Sequence, residues 1–132
     1  MVLIILLVLA LFVLQTLLPG RFREPAPEGV KEKLVENLGN RDHMRPLTVA
    51  GERAARALAN MHEALPVFLA LALMNLIVGT AAAAVTGATI FLVARVLYAG
   101  IYIVGIPVVR TLIWGVSWVG LAMMIAPLLE KI

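Results

Sequence analysis

The side chains able to do chemistry are concentrated in two stretches. In "GERAARALANMHEALPVF", Arg53, Arg56, Asn60 and Glu63 stand at i, i+3, i+7 and i+10, which places them on one stripe of a helix. In "ARVLYAGIYIVGIPVVR", Arg95, Tyr98 and Tyr102 follow the same rule at i, i+3 and i+7, and Arg110 comes shortly after Pro107. Guanidinium groups clamp carboxylates bidentately, a carboxylate receives an ammonium, and amide and phenol groups fix peptide polar atoms. Two stripes of polar and ionisable side chains from different helices thus converge near one membrane face.

Other chemistries find less support. The chain has no cysteine, so disulfides, thiolate metal sites and a protein-borne redox thiol are excluded, and any sulfur chemistry must arrive with a ligand. There is no metal motif, no supported Ser/His/Asp set and no glycine-rich phosphate loop. His62 reads as a polar residue at a membrane boundary rather than a base, and Gln15, Asn75 and Ser117 read as isolated helix-contact groups. Trp114 and Trp118, four apart, read as packing or interface residues.

The elements that must carry these residues are hydrophobic. Of the 132 residues 62% are hydrophobic, with a mean hydropathy of +1.00, which is the range of an integral membrane protein. A hydrocarbon core of about 30 Å takes roughly 20 apolar residues of helix. Four segments meet this need, giving an all-α bundle of transmembrane helices near 1–18, 48–78, 82–105 and 108–129 in a single domain spanning 1–132. The second reaches full length only by taking Arg56, Asn60 and Glu63 into the membrane boundary. The first lacks a basic n-region and a small-x-small cleavage site, so it reads as a retained helix rather than a signal peptide. No motif recurs among the four, which argues against an inverted-repeat transporter.

Charge distribution sets an expected orientation. The connection 19–47 holds Arg21, Arg23, Lys31, Lys33, Arg41 and Arg45, and Arg110 lies by the third connection, whereas "GTAAAAVTGAT" is uncharged. The positive-inside rule puts the first and third loops in the cytoplasm and both termini outside. The net charge of +3 thus reports topology and anionic head groups, not nucleic acid. Within the first loop, Glu28, Lys31, Glu32 and Lys33 permit a short surface helix through Leu38 ending at Gly39, and Thr48 is the expected N-cap of the second long helix.

Ionisable residues at membrane depth cost several kcal/mol unless paired or wet, and they mark a site by default. A purely architectural alternative stands beside this: Glu63 with Arg95 as a buried ion pair, Arg53 and Arg110 as interfacial anchors, and Tyr98 and Tyr102 as belt aromatics. The polar residues are more numerous than packing needs.

"ERAARALANMHEALPVF" resembles the E-R-x-x-R-A-x-x-N-x-x-E-x-x-P-x-F signature of the MAPEG family, the membrane-associated proteins in eicosanoid and glutathione metabolism. "ARVLYAGIYIVGIPVVRTLIW" is similar to that family's R-x-x-Y-x-x-x-Y segment and the arginine after its loop, and "LGNRD" is similar to bacterial members. The resemblance covers nearly the whole chain. It implies a four-helix membrane bundle forming a homotrimer, in a bacterial inner membrane, with glutathione as co-substrate in clefts between subunits at the cytoplasmic side. Residue by residue it implies that Arg56, Asn60, Glu63, Arg95, Tyr98 and Tyr102 bind glutathione, that Arg53 supports them, and that Arg110 stabilises the thiolate. Tyr98 stands where some members carry His, and Ala59 where some carry Arg. The implied activity is a transferase or peroxidase acting on lipophilic electrophiles. A non-catalytic lipid- or thiol-binding protein of the same fold is the alternative, and a small multidrug transporter is disfavoured because the first helix has no acidic residue.

Overall fold

In the computed structural model, which describes residues 1–25, 34, 38 and 44–131, four long helices follow one another: α1 (Val2–Arg21), α2 (Val49–Val78), α3 (Ala82–Val104) and α4 (Pro107–Leu129). All four are long and apolar enough to cross a membrane. Of the surface helix expected through Leu38, only Leu34 and Leu38 are among the described residues, and both are helical.

α1 continues through Pro19 to Arg21, three residues beyond the end read from the sequence. Proline stops a helix by removing a donor and clashing with the carbonyl four residues back, yet membrane helices tolerate it where neighbours or side chains re-satisfy the backbone. α2 likewise passes through Pro66. Its start is set by Thr48, whose hydroxyl oxygen accepts from Gly51 N at 3.3 Å while donating to Phe22 O at 2.9 Å. Thr48 N also donates to Phe22 O (2.9 Å) and Glu24 N to Pro46 O (3.2 Å), an antiparallel bridge that closes the mouth of the first loop. The Arg23 guanidinium donates across it to Arg45 O, and Arg45 donates to Glu24 O at 2.6 Å.

Lipid tails are as apolar as leucine, so helices associate here through close packing and interhelical hydrogen bonds rather than hydrophobic burial. Phe68 of α2 stacks on Phe91 of α3, with centroids 4.7 Å apart and planes 9° from parallel. Val8, Met61, Ala64, Leu121 and Met124 complete the buried core around them. α3 and α4 meet where Gly87 faces Gly120: a Cβ on Gly120 would lie 2.6 Å from Gly87 O and 2.9 Å from Phe91 N. At the end of α2 remote from Thr48, the buried Asn75 amide donates to its own helix at Leu71 O and across to Met124 O, both 2.9 Å. The outward faces, carrying residues such as Leu3, Leu14, Ile77, Leu112 and Val119, are apolar and exposed, which suits them to lipid contact.

Candidate functional site

The start of α2, the end of α3 and the start of α4 come together at one end of the bundle. α3 stops at Gly105, which takes the left-handed conformation (φ +92°) and donates its N–H to Ile101 O at 2.9 Å. A residue with a side chain is strained there. After one linking residue, Pro107 opens α4, where its missing N–H costs nothing and its fixed φ suits the helix. This tight reversal delivers Arg110 one turn into α4, its N–H bonded to Ile106 O at 3.1 Å.

Arg53, Arg56, Tyr102, Gly105, Pro107 and Arg110 line one open concavity of about 210 Å³. A second, of about 210 Å³, shares Tyr102 and Arg110 and adds Tyr98, Thr111 and Trp114. The Arg110 guanidinium lies over the Tyr102 ring at 4.6 Å from its centroid, and Tyr102 meets Tyr98 edge to face at 5.4 Å. Cation–π contact and the ring wall hold Arg110 in place while leaving its N–H donors free in the plane of the guanidinium.

The three arginines differ in what already occupies them. Arg53 donates through Nη1 to Val104 O at 3.0 Å and Ile103 O at 3.3 Å, so its charge is spent on the end of α3. Arg56 is exposed and faces Glu52 at 3.6 Å, a surface pair. Such a pair is worth at most about 1 kcal/mol and yields readily to a better partner.

Deeper along the same stripe, Arg95 is 1% exposed and donates to Asn60 Oδ1 at 2.5 Å. Asn60 Nδ2 points on to Glu63 Oε2 at 3.4 Å, and Glu63 is exposed. The direct Glu63–Arg95 ion pair of the architectural alternative is therefore not the arrangement found: Asn60 stands between them. Arg95 also sits against the Phe91 and Tyr98 rings, 5.2 Å and 5.6 Å from their centroids, while its Nε and Nη2 are buried without partners. Buried polar groups left without partners are uncommon and call for an explanation.

Thus the chain brings Arg53, Arg56, Tyr102 and Arg110 around one concavity, joins Tyr98 to it through the second, and strings Arg95, Asn60 and Glu63 in a relay beside them. His62 is apart, its ring edge-on to Phe12 at 4.8 Å and its Nδ1 3.0 Å from Leu58 O. Sequence reasoning passed over Trp114 as a wall of the site, although its position four residues after Arg110 puts it on the same face of α4. It also passed over Gly105, whose place just before Pro107 is the signature of a helix stop.

Comparison with known families gives a match to the MAPEG family over residues 1–129. No curated protein and no solved structure matches the chain.

Proposed function

This chain belongs to the MAPEG family, and from that premise we propose that it is a membrane-bound glutathione-dependent transferase or peroxidase. The observation that carries the reading is the shared concavity of Arg56, Tyr102 and Arg110, cations and a phenol converging where the bundle meets water.

Glutathione has two carboxylates, one ammonium and one thiol. Arg56 exchanges Glu52 for a glutathione carboxylate, and the exposed Glu63, held by Asn60, receives the ammonium. The tyrosine hydroxyls hold the peptide groups, and Arg95 fixes Asn60 from behind. Arg110 then faces the thiol. A thiol ordinarily ionises near pH 8.5, and a guanidinium at van der Waals range in a poorly screened cleft favours the thiolate. The proton leaves to cytoplasmic water. The thiolate sulfur forms a bond to an electrophilic carbon, and the displaced pair departs with the leaving group. With a hydroperoxide the sulfur takes the distal oxygen, releasing an alcohol, and a second glutathione reduces the sulfenic acid to disulfide and water.

A binding site for a small ligand commonly measures about 300 Å³ or more and encloses most of it. Each concavity here is smaller and open on one side. The family resemblance supplies the rest of the reading: glutathione lies between neighbouring copies in a homotrimer, with the first and third loops cytoplasmic and the lipophilic acceptor arriving from the bilayer.

The test is conjugation of glutathione to lipophilic electrophiles by protein reconstituted in liposomes, with Asn60→Ala and Arg110→Ala. Turnover that falls steeply in both variants is expected. Unchanged rates would sink the assignment, and saturable binding without turnover would favour the non-catalytic binding protein.

A further inference from the structure

The guanidinium of Arg53 lies on the sequence stripe of ligand-binding residues but is occupied by the protein itself. Its Nη1 bridges Ile103 O and Val104 O, two of the carbonyls that an α-helix leaves unpaired at its C-terminus. It also fills the space above Gly105: a Cβ on that glycine would fall on the guanidinium carbon and both of its terminal nitrogens. Two independent features, a cation on orphan carbonyls and a glycine bare beneath it, therefore describe one clamp.

That clamp sits next to the reversal that aims Arg110. Val104 O is held by Arg53, Gly105 turns the chain at φ +92°, and Ile106 O accepts the N–H of Arg110. The C-terminal end of α3 carries the equivalent of about half a negative charge, which partly offsets Arg53, one of the three arginines around the concavity. The remaining charges, Arg56 and Arg110, are the ones left for an anionic ligand.

We infer that Arg53 is a positioning residue: it locks the Gly105 turn so that Arg110 meets the thiol, and it does not itself bind the ligand. This inference rests on the reading of Arg110 as the thiolate-stabilising group.

The experiment compares wild type, Arg53→Met, Arg53→Lys and Gly105→Ala as full-length protein in nanodiscs. Glutathione is titrated while thiolate absorbance is followed across pH, and amide hydrogen exchange of residues 103–111 is measured without ligand. For Arg53→Met the pH midpoint of the thiolate signal rises by about one unit, which is about tenfold less thiolate at neutral pH, while glutathione affinity changes by less than about threefold. Exchange across 103–111 quickens by about tenfold. Arg53→Lys, a point charge able to reach one carbonyl well, falls between. Gly105→Ala reproduces the midpoint shift by displacing the guanidinium.

A loss of affinity of about tenfold or more with an unmoved midpoint would make Arg53 a ligand and overturn the inference. Unchanged exchange in Arg53→Met would overturn it as well. A wild type with no thiolate signal would sink the glutathione reading instead, and the exchange comparison alone would then decide whether Arg53 clamps the turn.

Discussion

Replacing Arg95 by methionine should cost the protein little stability while damaging its site, and replacing its partner Asn60 should damage the site and cost stability as well. Arg95 is 1% exposed, with one hydrogen bond, to Asn60, and two nitrogens buried without partners. A buried unsatisfied polar atom carries a penalty of about 1–3 kcal/mol, so two weigh about 2–6 kcal/mol against the folded state. Methionine removes that penalty, fills similar space with a flexible apolar chain, and gives up one charge-assisted bond of about 1.5–3 kcal/mol. It also forfeits two ring contacts of about 0.5–1 kcal/mol each. The terms nearly cancel, so Arg95→Met should lie within about 2 kcal/mol of wild type, on either side. Asn60→Ala, by contrast, strips the buried guanidinium of its acceptor and should destabilise by about 2–3 kcal/mol. The double variant should recover most of that loss, since no buried charge remains. Reversible unfolding in mixed micelles measures all four corners of this cycle. Glutathione affinity should fall about tenfold in Arg95→Met, the worth of one Asn60 hydrogen bond no longer held in place. An Arg95→Met variant destabilised by more than about 4 kcal/mol, with Asn60→Ala unaffected, would instead make Arg95 a satisfied structural cation.

Three further outcomes follow from particular contacts. Gly120→Val should destabilise by about 3 kcal/mol or more in the same unfolding assay, since a Cβ there meets Gly87 O at 2.6 Å and backbone cannot yield as a side chain does. Asn75→Leu should cost about 1 kcal/mol by removing the bond to Met124 O, with glutathione affinity by calorimetry unchanged, because Asn75 lies at the other end of α2. Arg56→Gln should leave stability within about 0.5 kcal/mol, given an exposed pair with Glu52, yet weaken glutathione binding about tenfold or more and flatten its salt dependence.

Much of the architecture was legible because a bilayer imposes a simple rule on composition. Four apolar segments of spanning length, with ionisable residues at their margins, leave few foldings open, and period-3.6 spacing put Arg56, Asn60 and Glu63 on one side of α2 without any tertiary information. Thr48 was readable for a similar reason: a hydroxyl just before an apolar run satisfies amides the helix cannot. What spacing does not encode is which partner a long side chain chooses. Arg53 and Arg56 occupy neighbouring turns of one stripe, yet one is drawn to the carbonyl end of α3 and the other to Glu52 on its own helix. Nor does it encode depth: Arg95 and Glu63 are attractive as an ion pair on paper, and only the packing of α2 against α3 interposes Asn60. Pro19 misled for a third reason. Its local veto on helix is weaker than the advantage of a continuous hydrogen-bonded backbone through the membrane.

In the proposed mechanism Arg110, seated over Tyr102, turns a bound thiol into a nucleophile. Titrating detergent-purified protein with glutathione and following thiolate absorbance at neutral pH, with Arg110→Ala alongside, tests it directly. A saturable thiolate signal is expected in the wild type, and it should disappear in the variant while glutathione still binds. No binding at millimolar glutathione, or an equal thiolate signal in Arg110→Ala, would contradict it.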